Sequence, residues 1–363
     1  MIRPGMLALG AVVATLLALL EGRASLHHPD DPMAVLVSAA GVPEPLPFDE
    51  FGRRRLVLLN AGNPQWPLDG PDPNDPTKRL KSDRGIVKDR IDKGLKLRDR
   101  TQVQSVALAV DQLRFGRPGE ADGALVAKHR QGYLGNVTLA HIAVAQGDWG
   151  RAFNFFSIVN EELPPKQFPG LTPQQLAWQL KLNSGSLLKL ARLRMEEARG
   201  AKPAPESELP DRIFDVNFVN AAGVYEPGVL APAEQAKLPS DSLAIVQQLV
   251  LWFPTDPRLY WLLAEVYAAK SEFSAARKIM DECVSTFTYS NRKILMQHRE
   301  AVTRAADAKG APPDEPLFAT PDAPLPPPPI SMRTVWIYFG AVAAVALFAV
   351  TRALVKWRRA ASR

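Results

Sequence analysis

The stretch 136–165, NVTLAHIAVAQGDWGRAFNFFSIVNEELPP, narrows the architectures open to this chain more than any other. Its pattern around Gly147-Asp148 predicts two antiparallel helices joined by a tight turn. Ala140 and Ala152 are small enough for the two backbones to approach closely, and Leu139, Trp149 and Phe156 fill the space beside them. Pro164 follows the second helix. A pair of this kind cannot bury its apolar face alone and needs stacked neighbours.

The sequence supplies such neighbours. Leu108, Ala109, Gly116 and Ala121 precede Leu139, Ala140, Gly147 and Ala152 by 31 residues each, which predicts a first pair over 102–131. A later pair is expected over Leu259–Val284, where Leu263, Ala264 and Tyr267 sit on one helix and Ala276 and Met280 on the next. Ala264 and Ala276 are separated by 12 residues, as are Ala140 and Ala152. Between these units, Thr172-Pro-Gln-Gln175 has the form of a helix start, with Thr172 as N-cap, Pro173 in the first turn and Gln175 closing a capping box. That helix is expected to run towards Arg199 and to bend or divide at Gly185. Helices are also expected at 242–253 and 291–308.

Other segments interrupt this pattern. Residues 25–98 form a Pro/Gly-rich and charged N-terminal segment, in which the prolines of 29–77 predict extended chain, with Arg55–Leu59 as a short apolar run able to dock on the body. Asp69–Pro76 lacks the alternating acids and closing Glu of a calcium loop and reads as a turn-rich linker. Lys78–Arg100 holds ten Lys/Arg against four Asp, a local +6, with no aromatic residue. Its interleaved signs predict a solvated helix or linker face. In 201–240, Phe214, Val216 and Phe218 alternate with polar residues ahead of Asn220–Tyr225, which predicts a small hairpin in an insert that breaks the helical body.

The two ends carry targeting signals. Arg3, the apolar run Met6–Leu20 and the small residues around Arg23 describe a signal peptide over 1–24. Thr334–Thr351 has no charge, Trp336, Tyr338 and Trp357 flank it, and Trp336 to Trp357 covers roughly 31 Å of helix, about one hydrocarbon core. A transmembrane helix is therefore expected over 333–353, ending in a basic cytoplasmic tail over 354–363. The Pro-rich linker 309–332 would hold the body off the membrane. The expected location is the cytoplasmic (inner) membrane, single-pass, with the body outside the cytoplasm.

The overall charge of +6 belongs to that topology. Residues 1–28 contribute +1 and 333–363 contribute +6, so the body carries −1. This gives no case for nucleic-acid binding. Cys283 is the one cysteine, so neither an intrachain disulfide nor a cysteine-based zinc site is available, and its setting predicts a buried small hydrophobe. His27, His28, His129, His141 and His298 form no metal-ligand pair. Ser186-Leu-Leu-Lys189 lacks the companion motifs of penicillin-recognising enzymes, and no glycine-rich phosphate loop follows a strand. No catalytic, metal or cofactor site is expected. Asn136-Val-Thr138 matches a glycosylation sequon.

Taken together, Leu139, Ala140, Gly147, Ala152, Phe156 and Pro164 resemble the tetratricopeptide repeat. Leu263, Ala264, Tyr267, Phe273 and Ala276 do so with Ser271 in place of the usual Gly, and Leu108, Ala109, Gly116 and Ala121 do so in part. The arrangement is similar to membrane-tethered bacterial repeat proteins of unassigned function. The resemblance implies a mostly α fold with a helical-repeat (α-solenoid) body over 99–308. It also implies a protein-binding groove lined by first-helix residues, namely Val106, Val110 and Leu113, then Val137, His141 and Val144, then Trp261, Glu265 and Ala268. The implied partner is a protein or peptide and the implied role a scaffold. The alternatives are a structural spacer of the envelope or an enzyme with its site in the 201–240 insert.

Overall fold

The structure is a computed structural model, and it describes residues 35–37, 43–72, 75–168, 171–200, 210–289 and 291–310. The expected signal peptide, Pro-rich linker, transmembrane helix and basic tail lie outside these residues. Among the described residues no helix is long and apolar enough to cross a membrane.

The fold is mostly helical. Its helices are α1 (Phe48–Gly62), α2 (Asp83–Lys96), α3 (Gln102–Arg114), α4 (Pro118–Ala124), α5 (Gly132–Ala145), α6 (Trp149–Glu161), α7 (Pro173–Leu182), α8 (Leu188–Ala198), α9 (Pro232–Gln235), α10 (Ser242–Trp252), α11 (Pro257–Ala269), α12 (Phe273–Thr286) and α13 (Arg292–Ala308). Two short antiparallel ribbons precede α2, β1 (Val35–Val37) with β2 (Pro43–Pro45) and β3 (Asp69–Asp72) with β4 (Asp75–Lys81).

The three pairs anticipated from spacing are α3–α4, α5–α6 and α11–α12. Their turns share one backbone solution. Gly116, Gly147 and Ser271 have φ of +81°, +75° and +63°. The next N–H in each case reaches back to the helix, Arg117 to Gln112 (2.8 Å), Asp148 to Ala143 (2.9 Å) and Glu272 to Tyr267 (3.0 Å). A left-handed residue closed by such a bond ends a helix and satisfies its last carbonyls. The small residues lie at the helix contacts as expected, with Ala109, Ala121, Ala140, Ala152, Ala264 and Ala276 buried, together with Leu108, Leu139, Leu263 and Tyr267.

At the centre is α10, every residue of which is buried. An apolar helix without a polar face requires cover on all sides, and α10 packs on α11, α1 and β2. Its C-terminal carbonyls at Leu251 and Trp252 accept bonds from Nη1 of Arg114 on α3 at 2.9 and 3.2 Å, a cation where the helix dipole is negative.

The structure differs from expectation in two places. First, the helical body begins at α1. Leu46, Phe51, Leu58, Ala61, Val87 and Ile91 join the main core, so part of 29–77 read as extended chain is the packed helix α1, and α2 within 78–100 buries one face instead of being solvated throughout. Second, residues 210–231 form no strand pair. The chain turns at Asn220–Val224 (2.8 Å) and again at Val219–Ala231 (2.9 Å) without a ladder, because Phe214, Val216 and Phe218 pack on the helical core instead of on a partner strand. The division expected at Gly185 takes the form of a π-helical turn, Asn183–Leu187, through which α7 passes into α8. The capping box of Thr172 and Gln175 is present, with bonds of 3.0 and 3.2 Å.

Candidate functional site

The helix ends of α1, α3, α5 and α10 converge on a cavity of about 660 Å³, a size typical of small-ligand or side-chain pockets. Its walls are Leu58 and Leu59 of α1, Leu113 of α3, His141 and Val144 of α5, Trp149 of α6, and Trp252 to Pro257 after α10. Rings form much of the surface. The His141 ring lies 5.3 Å from Trp252, 5.6 Å from Phe156 and 5.8 Å from Phe253. Apolar and ring surfaces of this kind bind an apolar group without needing many polar contacts.

An ion network fixes one rim. Arg194 of α8 bonds Asp211 (2.7 and 3.0 Å) and Asp256 (3.0 and 3.1 Å), while Arg258 bonds Glu197 (2.7 and 3.0 Å) and meets Asp211 at 3.3 Å. Asp256 also caps α11 through the N–H groups of Arg258 and Leu259. Burial raises the Asp256 carboxyl above its ordinary value, and nearby Asp211 adds to this while Arg194 opposes it. Burial lowers the Arg194 guanidinium, but Asp211 and Asp256 outweigh that and hold it charged. Arg194 also lies 5.4 Å from the Trp149 ring, so the network positions a wall of the cavity. The loop between α10 and α11 is also held by Arg55, buried to 1% exposure. It donates to the Pro254 carbonyl (3.3 Å), pairs with Glu282 (2.5 Å) and lies 3.7 Å over the Tyr260 ring.

The nine expected groove residues separate. Leu113, His141 and Val144 line the cavity together. Val106, Val110 and Val137 are buried, and so are Trp261, Glu265 and Ala268; the chain itself covers those faces. Over the last three lies a second cluster. The Trp261 indole donates to Glu265 Oε1 at 2.7 Å, His298 Nδ1 of α13 meets the same oxygen at 2.8 Å, and the Tyr225 ring stacks on His298 at 3.6 Å. Burial, then the Glu265 carboxylate, pushes the Tyr225 hydroxyl far above its ordinary range. The insert and last helix therefore close this end. Among the described residues no group of His, Cys, Asp and Glu could hold a metal. Cys283 is fully buried, and burial raises its thiol to about 12. Asn136 of the sequon is buried and donates to Glu162 at 2.9 Å.

Sequence reasoning missed the α1 wall and the loop Phe253–Pro257. The signal for the loop was present, since Trp252-Phe253 followed by two prolines places rings at a helix end. Nothing local in the sequence linked α1 to it. The chain matches no protein-family model, no curated protein and no solved structure.

Proposed function

We propose that the chain is a membrane-anchored interaction module of tetratricopeptide-repeat type, its helical body outside the cytoplasm and tethered through 334–351. The observation that carries this reading is the ring-lined cavity between α1, α3, α5 and the α10–α11 loop. It is open at the surface, and two ion clusters hold its α10–α11 loop. The matched left-handed turns at Gly116, Gly147 and Ser271 support the repeat reading. The occupant this surface suits is a short apolar stretch of a partner protein, with one or two aliphatic or aromatic side chains entering the cavity and its backbone left at the mouth.

The test is photo-crosslinking in membranes from Leu59 or Val144, each replaced by a photoreactive residue in the full chain. One recurrent protein is expected, and its crosslink should disappear when Trp149→Ala and Phe253→Ala are combined while the fold persists. Crosslinks confined to the chain itself would refute the module. They would favour a structural spacer, a reading supported by the burial of Val106, Val110, Val137, Trp261, Glu265 and Ala268.

A further inference from the structure

The body's charge is unevenly placed. Residues 78–100 carry +6, while the other described residues together carry −1. Most other cations with a structural role are paired, as in the rim networks. At the C-terminal end of α2 the pattern changes. Lys93, Lys96, Arg98 and Lys128 are exposed, and none has a carboxylate within ion-pair distance among the described residues. Arg98, Arg100 and Lys128 share a notch of about 350 Å³, in which Asp99 is the single acid. The side-chain amide of Gln102, bonded to the carbonyls of His129 (3.3 Å) and Gln131 (2.8 Å), holds its two walls together.

Apolar groups accompany this charge. Leu95, Leu97 and Val126 are 57%, 45% and 39% exposed at the same end. Along α2, Ile86, Lys93 and Leu97 recur at seven and four residues and so share one outer stripe. Near the N-terminal end of α2, Trp66 and Leu68 lead into β3 and Leu80 lies in β4, each at least 40% exposed. The ribbon lies against α2 because Gly85 has no side chain. A Cβ there would stand 2.0 Å from the Leu68 carbonyl oxygen, which accepts the Ser82 N–H at 3.0 Å. Within 78–100 the sequence has no aromatic residue; the fold brings Trp66 to it.

We propose that this face, formed by α2, the β3–β4 ribbon and the Arg98–Lys128 notch, docks on an anionic lipid surface. The exposed cations Lys96, Arg98 and Lys128, with Lys93 beside Asp89, would meet headgroup phosphates, and Leu97, Ile86 and Trp66 would enter the boundary with the acyl region. Cations over apolar side chains with an interfacial Trp are the elements of peripheral membrane binding. The net +6 of 78–100 favours contact of this face with negative lipid.

The test uses the full chain in vesicles, with an environment-sensitive dye on Leu97→Cys and, as a reference, on Val224→Cys of the exposed insert. Cys283 does not compete, being buried with its thiol raised. In vesicles containing about 30% phosphatidylglycerol, the dye at 97 is expected to be quenched by lipid-borne nitroxide, and the dye at 224 is not. Neutral phosphatidylcholine vesicles, or salt near ~0.5 M, should abolish the quenching. The combined variant Lys93→Glu, Lys96→Glu, Arg98→Glu should abolish it too, with the fold retained and the melting temperature lowered by only a few degrees, because two acids then stand at the C-terminal end of α2. Equal quenching in neutral vesicles, no quenching in either, or quenching retained by the triple variant overturns the proposal. Inorganic phosphate that removes quenching at an ionic strength where chloride does not would assign the notch to free phosphate. A dye shift produced by polyglutamate without vesicles, matching that in vesicles, would assign the face to acidic protein; either result overturns lipid docking.

Discussion

Ser271 and Gly147 hold the same left-handed backbone conformation, φ +63° and +75°, at the same point of two helix pairs. In both, the following N–H closes on a carbonyl five residues back. A side chain in this region costs about 1 kcal/mol relative to glycine. Ser271→Gly is therefore expected to stabilise the fold by about 0.5 kcal/mol, after the greater freedom glycine gives the unfolded chain. Gly147→Ala should lose about 1 kcal/mol, since open space surrounds its Cβ position. Gly116→Ala should lose more, because its Cβ would lie 3.1 Å from the Gly62 oxygen. Urea denaturation of the three variants checks the order.

Arg55 joins α1 to α12 and to the cavity rim. Its removal would leave Glu282, already holding the Tyr260 hydroxyl at 2.6 Å, without its cation. Breaking a buried pair from one side costs about 3–5 kcal/mol. Arg55→Ala is expected to fall in that range and Arg55→Ala with Glu282→Gln to recover part of it. A double-mutant cycle by chemical denaturation measures the difference.

These positions show what the sequence made legible and what it did not. Helix pairs, turns and the capping box at Thr172 depend on residues within about thirty positions of each other, and their spacing revealed them. The turn at 271 was legible as well, with Ser271 occupying the place of a glycine. What closes the site depends on partners far along the chain. Arg55 finds Glu282 and Pro254, and Tyr225 finds His298, through packing that no local pattern encodes. Arg55 lay in an apolar run expected only to dock, and its cation gave no sign of burial. The three groove residues that do line the cavity sit at its helix ends. The six others are buried, and at Trp261 and Glu265 it is α13 and the insert that supply cover an isolated repeat would lack.

His129 carries a pH dependence whose sign follows from its surroundings. Burial disfavours its charged form, Lys128 and Arg100 repel it, and its pKa lies below the usual 6.5. Its Nδ1 meets Ser105 Oγ at 2.8 Å. Above pH 6.5 neither folded nor unfolded chain protonates it, and its full contribution is present. As pH falls from there towards the lowered folded value, the unfolded chain takes up the proton first and stability is lost. Melting temperature should therefore drop below pH 6.5, and Lys128→Gln should shrink that drop by removing one repelling charge. A Lys128→Gln curve parallel to the wild-type one would show that the drop arises elsewhere.

Gln247 provides the last test, because it ties the N-terminal chain to the central helix. It is fully buried in α10. Its amide replaces a strand partner for Leu46, accepting the Leu46 N–H at 2.9 Å and donating to the Leu46 carbonyl at 3.0 Å and the Tyr267 hydroxyl at 2.7 Å. Gln247→Leu keeps much of the volume but strands both backbone groups of Leu46, at about 1–3 kcal/mol for each buried group left unmade. The penalty can be avoided only if the chain before α1 lifts off to find water. The variant should therefore show faster amide hydrogen exchange at 43–48 and earlier proteolytic cleavage there, while α5 and α6 remain protected. Uniform loss of protection across the body would instead mean that α1 and α10 unfold as one unit, so that the cavity they share could not open separately from the core.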